Sequence, residues 1–312
     1  MDFQEKKEIF AVKVPTLVAR AQVLRACKDF LAAEEFIEVD TPVLQRSAGM
    51  EAHLAVFKTK FRDMELGLAT SPEFAMKKLL ALGVPKLYQF AHVFRNELVT
   101  PTHYPEFTML EWYRAGEDYT KIMADCDELL GRVLEAVGHD EFSWRGKACK
   151  ALPAERMTVA EAVKRYAGVD MFKENLSGDA FYDIMLDVEP NLGVGVPTIL
   201  YEYPIAEAAL ARPSPRDPRV AERFELYVCG MELANAFSEL TDAKVQRARF
   251  EAAQVEKKKL YGTVEPMDEE FLEAVAHLPE SAGVALGFER LVMLATGTDD
   301  IKNTMWSLIP GI

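Results

Sequence analysis

Apolar positions along the chain change period several times, and each change marks an element. Over 14–31, Val14, Leu17, Val18, Ala21, Leu24 and Leu31 keep the i, i+3, i+4, i+7 rhythm of one long amphipathic helix. The stretch 36–44 is rich in β-branched residues but contains Pro42, which cannot donate to a central ladder, so it reads as an edge or interface strand. Phe57, Thr59 and Phe61 alternate with Lys58 and Lys60, predicting another strand. In Ser71-Pro72-Glu73 the serine can cap a helix, the proline suits its first turn and the glutamate faces the positive end of the dipole. A helix running to about residue 82 follows.

Two strands then carry Arg95 and Glu111, joined through Thr100-Pro101-Thr102, and 118–137 is helical with Asp118 as its cap. Periodicity weakens over 141–195, which predicts a small, partly helical insertion. Strands resume at 198–203, 223–228 and 232–237, and the proline-rich stretch 212–218 between the first two reads as a surface loop. Helices follow at 242–260 and 268–278, and a strand starting at Val284 passes through Arg290 into a last helix ending near Ala295. Strands clustered between helices without βαβ alternation predict an α+β fold. Its sheet is mainly antiparallel and flanked by helices, in a single domain over 1–312.

Composition narrows the function classes. The chain has 312 residues, 49% of them hydrophobic, enough for a sizeable core. Its formal charge of −14, from 36 basic and 50 acidic residues, opposes a broad phosphate-backbone footprint. Cys27, Cys126, Cys149 and Cys229 are scattered without a C-x-x-C pair, which suggests neither a zinc knuckle nor a disulfide framework. The amino terminus lacks the basic start and apolar run of a signal peptide, and no run of about 18 apolar residues occurs. A soluble cytoplasmic protein is expected.

The chemistry concentrates in Phe94-Arg95-Asn96-Glu97 and, nine residues on, Glu106-Phe107-Thr108-Met109-Leu110-Glu111-Trp112-Tyr113. An arginine beside the α-phosphate of ATP neutralises charge that develops when a carboxylate attacks that phosphorus, and an aromatic such as Phe107 stacks on adenine. On its own the pattern is equally that of a solvated hairpin.

Three segments in order change that balance: the long first helix leading to Pro42, the Phe94-Arg95-Asn96-Glu97 hairpin, and Gly283-Val284-Ala285-Leu286-Gly287-Phe288-Glu289-Arg290. Together they resemble motifs 1, 2 and 3 of the class II aminoacyl-tRNA synthetases. Ser71-Pro72-Glu73, Glu106 to Glu111, and Glu232-Leu233-Ala234-Asn235-Ala236-Phe237-Ser238-Glu239-Leu240 resemble the lysyl branch. Few residues precede the first predicted helix, so the anticodon-binding β-barrel of lysyl-tRNA synthetases is not expected. A lysyl-type core of this size, with Ala208 to Arg212 and Asp217 to Tyr227 as they stand here, is similar to the elongation factor P lysine ligases over nearly the whole chain.

That resemblance implies ATP-dependent activation of lysine or (R)-β-lysine as an adenylate, then transfer to a lysine side chain of elongation factor P. It implies ATP and Mg²⁺, and a homodimer built on motif 1, with tRNA not expected as acceptor. Arg95 would take the α-phosphate and substrate carboxylate, and Arg290 the γ-phosphate end, both suited to a permanently charged multidentate donor. Asn96, Glu97, His103 and Tyr104 would line the adenine and phosphate region, with Phe107 under the base and Leu233 and Gly287 approaching through backbone. Glu225 and Glu232 would hold Mg²⁺.

Glu73, with Ser71 and Pro72, would meet the amine nearest the carboxylate. Glu239 and Tyr113 would receive the distal ammonium, and Glu111, Asn235 and Phe237 would complete the walls. Each role has a plainer counterpart: surface ion pairs for Arg95 and Arg290, a loop histidine for His103, a decorated sheet face for Glu225 or Glu232. For Glu73 it is helix-dipole complementation worth about 0.3–1 kcal/mol. Two departures stand out, because Ala285 and Ala236 occupy positions where the lysyl branch has glycine. The Ala285 methyl should narrow the pocket floor and favour a β-amino isomer. A minimal lysyl-tRNA synthetase and a non-catalytic synthetase-like regulator are the alternatives.

Overall fold

The computed structural model describes residues 2–311. Helix α1 (Phe3–Ala33) opens on a reciprocal capping box: the Asp2 carboxylate accepts from the Glu5 amide at 2.8 Å, and the Glu5 carboxylate accepts from the Asp2 amide at 2.8 Å. It starts well before residue 14, and those first turns bury nothing, so no apolar stripe announces them. The face that does pack is Leu17, Val23, Ala26, Cys27, Phe30 and Leu31. Val14 and Val18, expected on that stripe, are exposed instead, 41% and 53%.

In chain order the strands are β1 (Ile37–Glu38), β2 (Leu44–Gln45), β3 (Lys58–Phe61), β4 (Met64–Leu68), β5 (Lys86–Phe94), β6 (Glu106–Ala115), β7 (Phe142–Trp144), β8 (Lys147–Cys149), β9 (Glu155–Thr158), β10 (Thr198–Pro204), β11 (Val220–Val228), β12 (Met231–Ser238) and β13 (Ser281–Gly287). Eight form the main sheet in the order β1-β5-β6-β13-β12-β11-β10-β9. Its pairings are antiparallel except at the two edges, β1 with β5 and β9 with β10. The expected α+β fold with a mainly antiparallel sheet is what the chain adopts.

Helix α2 (Glu73–Ala81) precedes β5, α3 (Tyr119–Val137) follows β6, and α4 (Val159–Ala162) and α5 (Asp179–Val188) lie within 141–195. Helices α6 (Ala243–Tyr261) and α7 (Glu269–His277) separate β12 from β13, which runs directly into α8 (Phe288–Thr296). Asp118, Asp242 and Asp268 cap α3, α6 and α7, each accepting from backbone amides of the first turn.

The segment 141–195 is more closely tied to the sheet than an insertion would be. Its strand β9 extends the main sheet beside β10, and Val159, Val163, Phe181, Met185 and Val188 form a second apolar cluster with Leu200, Tyr203 and Tyr227. Stretch 36–44 is divided between two sheets, β1 in the main one and β2 pairing with β4.

Strand alternation sorts the sheet into two faces. Tyr88, Trp112, Val284, Ala236 and Phe224 are successive register partners on one face, and all lie in the core shared with α1, α3 and α8. Gln89, Glu111, Ala285, Asn235 and Glu225 form the adjacent row on the other face. Ala236 therefore belongs to the core, and its methyl does not shape the opposite face. Among the described residues no helix is long and apolar enough to cross a membrane.

Candidate active site

The second face of the sheet floors a cleft of about 1210 Å³, open mouth included, which brings together most of the residues picked out from sequence. The next row on that face is Tyr113, Gly283 and Phe237, again in register. A Cβ added to Gly283 would lie 2.2 Å from the Tyr113 ring, so only glycine lets that ring cross β13. Glu232 and Leu233 are neighbours in sequence yet both line the cleft. Pairing between β11 and β12 shifts there, with Leu226 opposite Ala234 and Tyr227 opposite Glu232, and such a bulge turns consecutive side chains to one side.

One end of the cleft is basic. Arg95 follows β5 rather than lying within it, and its amide donates to the Pro105 carbonyl at 3.0 Å. Its guanidinium carbon sits 5.4 Å from the Phe107 ring centroid, and its Nε is buried with no hydrogen-bond partner among the described residues. Arg290, in the first turn of α8, donates to the Glu232 carbonyl at 2.8 Å and lies 3.3 Å from the Glu232 carboxylate. Its other terminal nitrogen is 2.9 Å from Nε2 of His103. Partial desolvation, then the positive charge of Arg290, holds His103 below its ordinary pKa.

Glu97 lines the same end, as does Tyr104, whose hydroxyl accepts from the Ile309 amide at 2.8 Å. A Cβ on Gly287 would make only ordinary contact with Arg290 at 3.5 Å, so the floor there is open. Asn96 is exposed and faces a shallow depression beside the cleft with Glu97 and His103, outside the cleft proper.

The other end is acidic and buried. Ser71 accepts from the Glu73 amide at 2.9 Å, and Pro72, buried at the start of α2, accepts the first helical bond from Met76. Ser71 also donates to one oxygen of Glu111 at 2.6 Å, and Tyr113 donates to the other at 2.7 Å. Glu111 is thus fully engaged, holding two pocket residues in place. Beneath Phe237 lies Lys77, 2% exposed, whose ammonium pairs with Glu73 and lies 2.5 Å from Glu239. The same ammonium is 4.8 Å from the Phe237 ring centroid.

Burial pushes the Glu111 and Glu239 carboxyls up to about 8, reinforced by neighbouring acids. Glu73 is raised for the same reasons, burial first. Oε1 of Glu239 is buried and accepts no hydrogen bond among the described residues. A buried acceptor without a donor is costly, and neither Glu239 nor Glu111 is among the residues that line the cleft.

Glu225 is buried on the cleft side of β11 but already occupied. Tyr203 donates to it at 2.6 Å, Tyr227 at 2.7 Å and Arg223 at 2.5 Å. Arg223 also donates to Asn235 at 3.0 Å, which ties that residue to the same network. Glu232 is open to the cleft. Among the described residues no group of three or more His, Cys, Asp or Glu side chains is arranged to hold a metal by itself. One or two carboxylates plus substrate phosphates is the usual environment of Mg²⁺, which Glu232 suits better than Glu225 as it stands.

Sequence reasoning passed over three residues. Lys77 stands four positions after Glu73, a spacing that pairs side chains on a helix and could have been read. Glu289 accepts from the Thr108 amide at 2.8 Å and pairs with Arg20 of α1 at 2.9 Å, binding the first helix to both arginine-bearing segments. Glu51, on an irregular loop with no periodic signal, lines the acidic end beside Glu73.

Residues 12–306 match the family of tRNA synthetases class II (D, K and N). The protein named "Elongation factor P--(R)-beta-lysine ligase" of Enterobacter sp. (strain 638) is 37% identical over 309 residues, covering 95% of this chain and 95% of that protein. Proteins of the same name from Proteus mirabilis (strain HI4320) and Salmonella schwarzengrund (strain CVM19633) are 37% and 36% identical with the same coverage.

Proposed function

The chain belongs to the class II tRNA synthetases (D, K and N), and on that premise we propose that it is an ATP-dependent ligase that joins (R)-β-lysine or lysine to a lysine side chain of elongation factor P. The observation that carries the amino-acid half is the acidic end of the cleft, where Glu51 and Glu73 line the wall and Lys77 links Glu73 to a fully buried Glu239. A pocket built around such carboxylates selects amines, because an analogue without the ammonium leaves buried carboxylates unpaired.

The reaction has two steps. A carboxylate oxygen of the amino acid attacks the α-phosphorus of ATP, forming a C–O–P linkage as the bond to pyrophosphate breaks. The acceptor lysine amine then attacks the carbonyl carbon of that adenylate, an amide forms, AMP leaves and the amine loses a proton. Arg95 binds the α-phosphate and the attacking carboxylate, its unpaired Nε being free to donate. Arg290 binds the far phosphates, held ready by Glu232 and His103. Phe107 lies against the adenine, while Leu233 and Gly287 leave room for the nucleotide.

Glu73 and Glu239 receive the two amines, with Tyr113, Asn235, Phe237 and Ala285 as walls. No protein nucleophile is needed, since positioning and charge stabilisation do the catalysis. Mg²⁺ would be held by Glu232 with phosphate oxygens, Glu225 joining only by giving up existing hydrogen bonds, and would offset phosphate charge.

A two-fold dimer through α1 and the adjoining strands is part of the same reading. It is supported by exposed apolar side chains at Phe10, Val14 and Val18 on the helix and at Ile37 and Leu44 beyond it. Sedimentation at micromolar concentration tests it: a strictly monomeric, active protein rules the dimer out. ATP–pyrophosphate exchange dependent on lysine or β-lysine tests the ligase chemistry. An enzyme that binds ATP without exchange would be the non-catalytic regulator.

A further inference from the structure

We propose that Glu51 is a specificity-determining residue that accepts the substrate amine nearest the carboxylate, sharing that task with Glu73. This rests on reading the cleft as a diamino-acid pocket. Glu73, the residue expected to bind that amine alone, is already paired with the protein's own ammonium at Lys77, and Lys77 also neutralises Glu239. An incoming amine therefore meets a partly compensated Glu73. Among the described residues Glu51 beside it has no such partner: its Oε2 is shielded from solvent and accepts no hydrogen bond. Two adjacent carboxylates sharing one internal cation leave an uncompensated negative charge, which suits an ammonium group.

The loop that delivers Glu51 is built to hold it. Lys257, buried on α6, donates to the Gly49 carbonyl at 2.7 Å and pairs with Glu265 at 2.9 Å. Thr70 donates to the Ala48 carbonyl at 2.9 Å, while Met50 is buried against Phe74 and Phe271. A Cβ on Gly49 would come within 2.7 Å of the Thr70 hydroxyl, so the loop is packed against that residue closely enough to require glycine. A loop pinned at residues 48, 49 and 50 has little freedom to swing the next side chain into solvent. Its carboxylate is presented to the cleft.

The test deletes amines from the substrate and the carboxylate from the enzyme, using ATP–pyrophosphate exchange with 3,6-diaminohexanoate, 6-aminohexanoate and 3-aminohexanoate. For Glu51→Gln, kcat/KM with 3,6-diaminohexanoate should fall about tenfold or more, mainly through KM, since the lost contact is made in ground and transition states alike. The penalty for omitting the 3-amine should shrink by a similar factor. The penalty for omitting the 6-amine should stay as in the wild type.

Glu51→Asp, which keeps the charge on a shorter arm, should retain part of the 3-amine discrimination. This guards against a Glu51→Gln protein that is merely unstable, and thermal melting of both variants checks it. An unchanged 3-amine penalty in a folded Glu51→Gln enzyme overturns the role of Glu51 while leaving the ligase reading intact. A wild-type enzyme that exchanges with none of the three compounds, nor with 2,6-diaminohexanoate, overturns the diamino-acid reading and this inference with it.

Discussion

The ammonium of Lys77 lies 2.5 Å from the carboxylate of Glu239, inside a pocket where both side chains are almost completely buried. With Glu73 on its other side, Lys77 joins the two carboxylates proposed to read the substrate amines into one charged unit. Its ammonium is thus an internal counter-ion for a site otherwise rich in acid. Glu111 lies alongside but is committed to Ser71 and Tyr113.

Removing that counter-ion should be expensive. Lys77→Met leaves Glu73 and Glu239 buried without their partner, and breaking a buried pair from one side costs about 3–5 kcal/mol. Urea denaturation at pH 7.5 should show the variant clearly less stable than the wild type. Equal stability of the variant and wild type at pH 7.5 would mean that the pair contributes nothing net.

The ligand-free enzyme should become less stable as pH rises from 6.5 to 8.5. Glu111 stays protonated up to about 8 in the fold, whereas in the unfolded chain it releases its proton near the ordinary 4.5. Between those values the folded state binds more protons, so stability falls with pH. Glu189, raised to about 7 by burial and by Glu225 and Glu232, acts in the same direction. His103 acts oppositely, but only below 6.5. Melting temperatures across this range should therefore decline, and saturating diamino acid should flatten the decline by supplying cations to the acidic end. A melting temperature that climbs through the window would contradict the assignment.

Ala285 sits on the cleft face between Asn235 and Glu111. Trimming its methyl deepens the floor, so Ala285→Gly should raise kcat/KM for α-lysine relative to β-lysine by a factor corresponding to about 1–3 kcal/mol. Exchange kinetics with both amino acids measure the ratio. The same change at Ala236, in the core behind the sheet, should alter stability and leave that ratio unmoved.

The parts of this molecule that were legible in its sequence are those where periodicity and burial coincide. Strands β12 and β13 and helices α3, α6 and α7 lie within a few residues of expectation, because caps such as Asp118 and Asp242 and clear apolar alternation mark them. The start of α1 was hidden because its first turns bury no side chain, and β9 was hidden because its partner β10 lies some forty residues further along.

In the site, residues carried by local motifs reached the cleft: Arg95, Glu97, Phe107, Glu232, Phe237 and Arg290 all line it. What a linear pattern does not carry is which charges neutralise one another in space. Lys77 under Phe237, Glu225 enclosed by two tyrosines and an arginine, and Glu51 on a pinned loop all follow from packing between distant segments.

The most direct measurement is mass spectrometry of purified elongation factor P incubated with this enzyme, ATP, Mg²⁺ and β-lysine or lysine, beside a parallel tRNA-charging reaction. The account predicts a lysyl mass increment on one lysine of the factor, absent with Arg95→Ala, and no charged tRNA. Unmodified factor together with aminoacylated tRNA would contradict it.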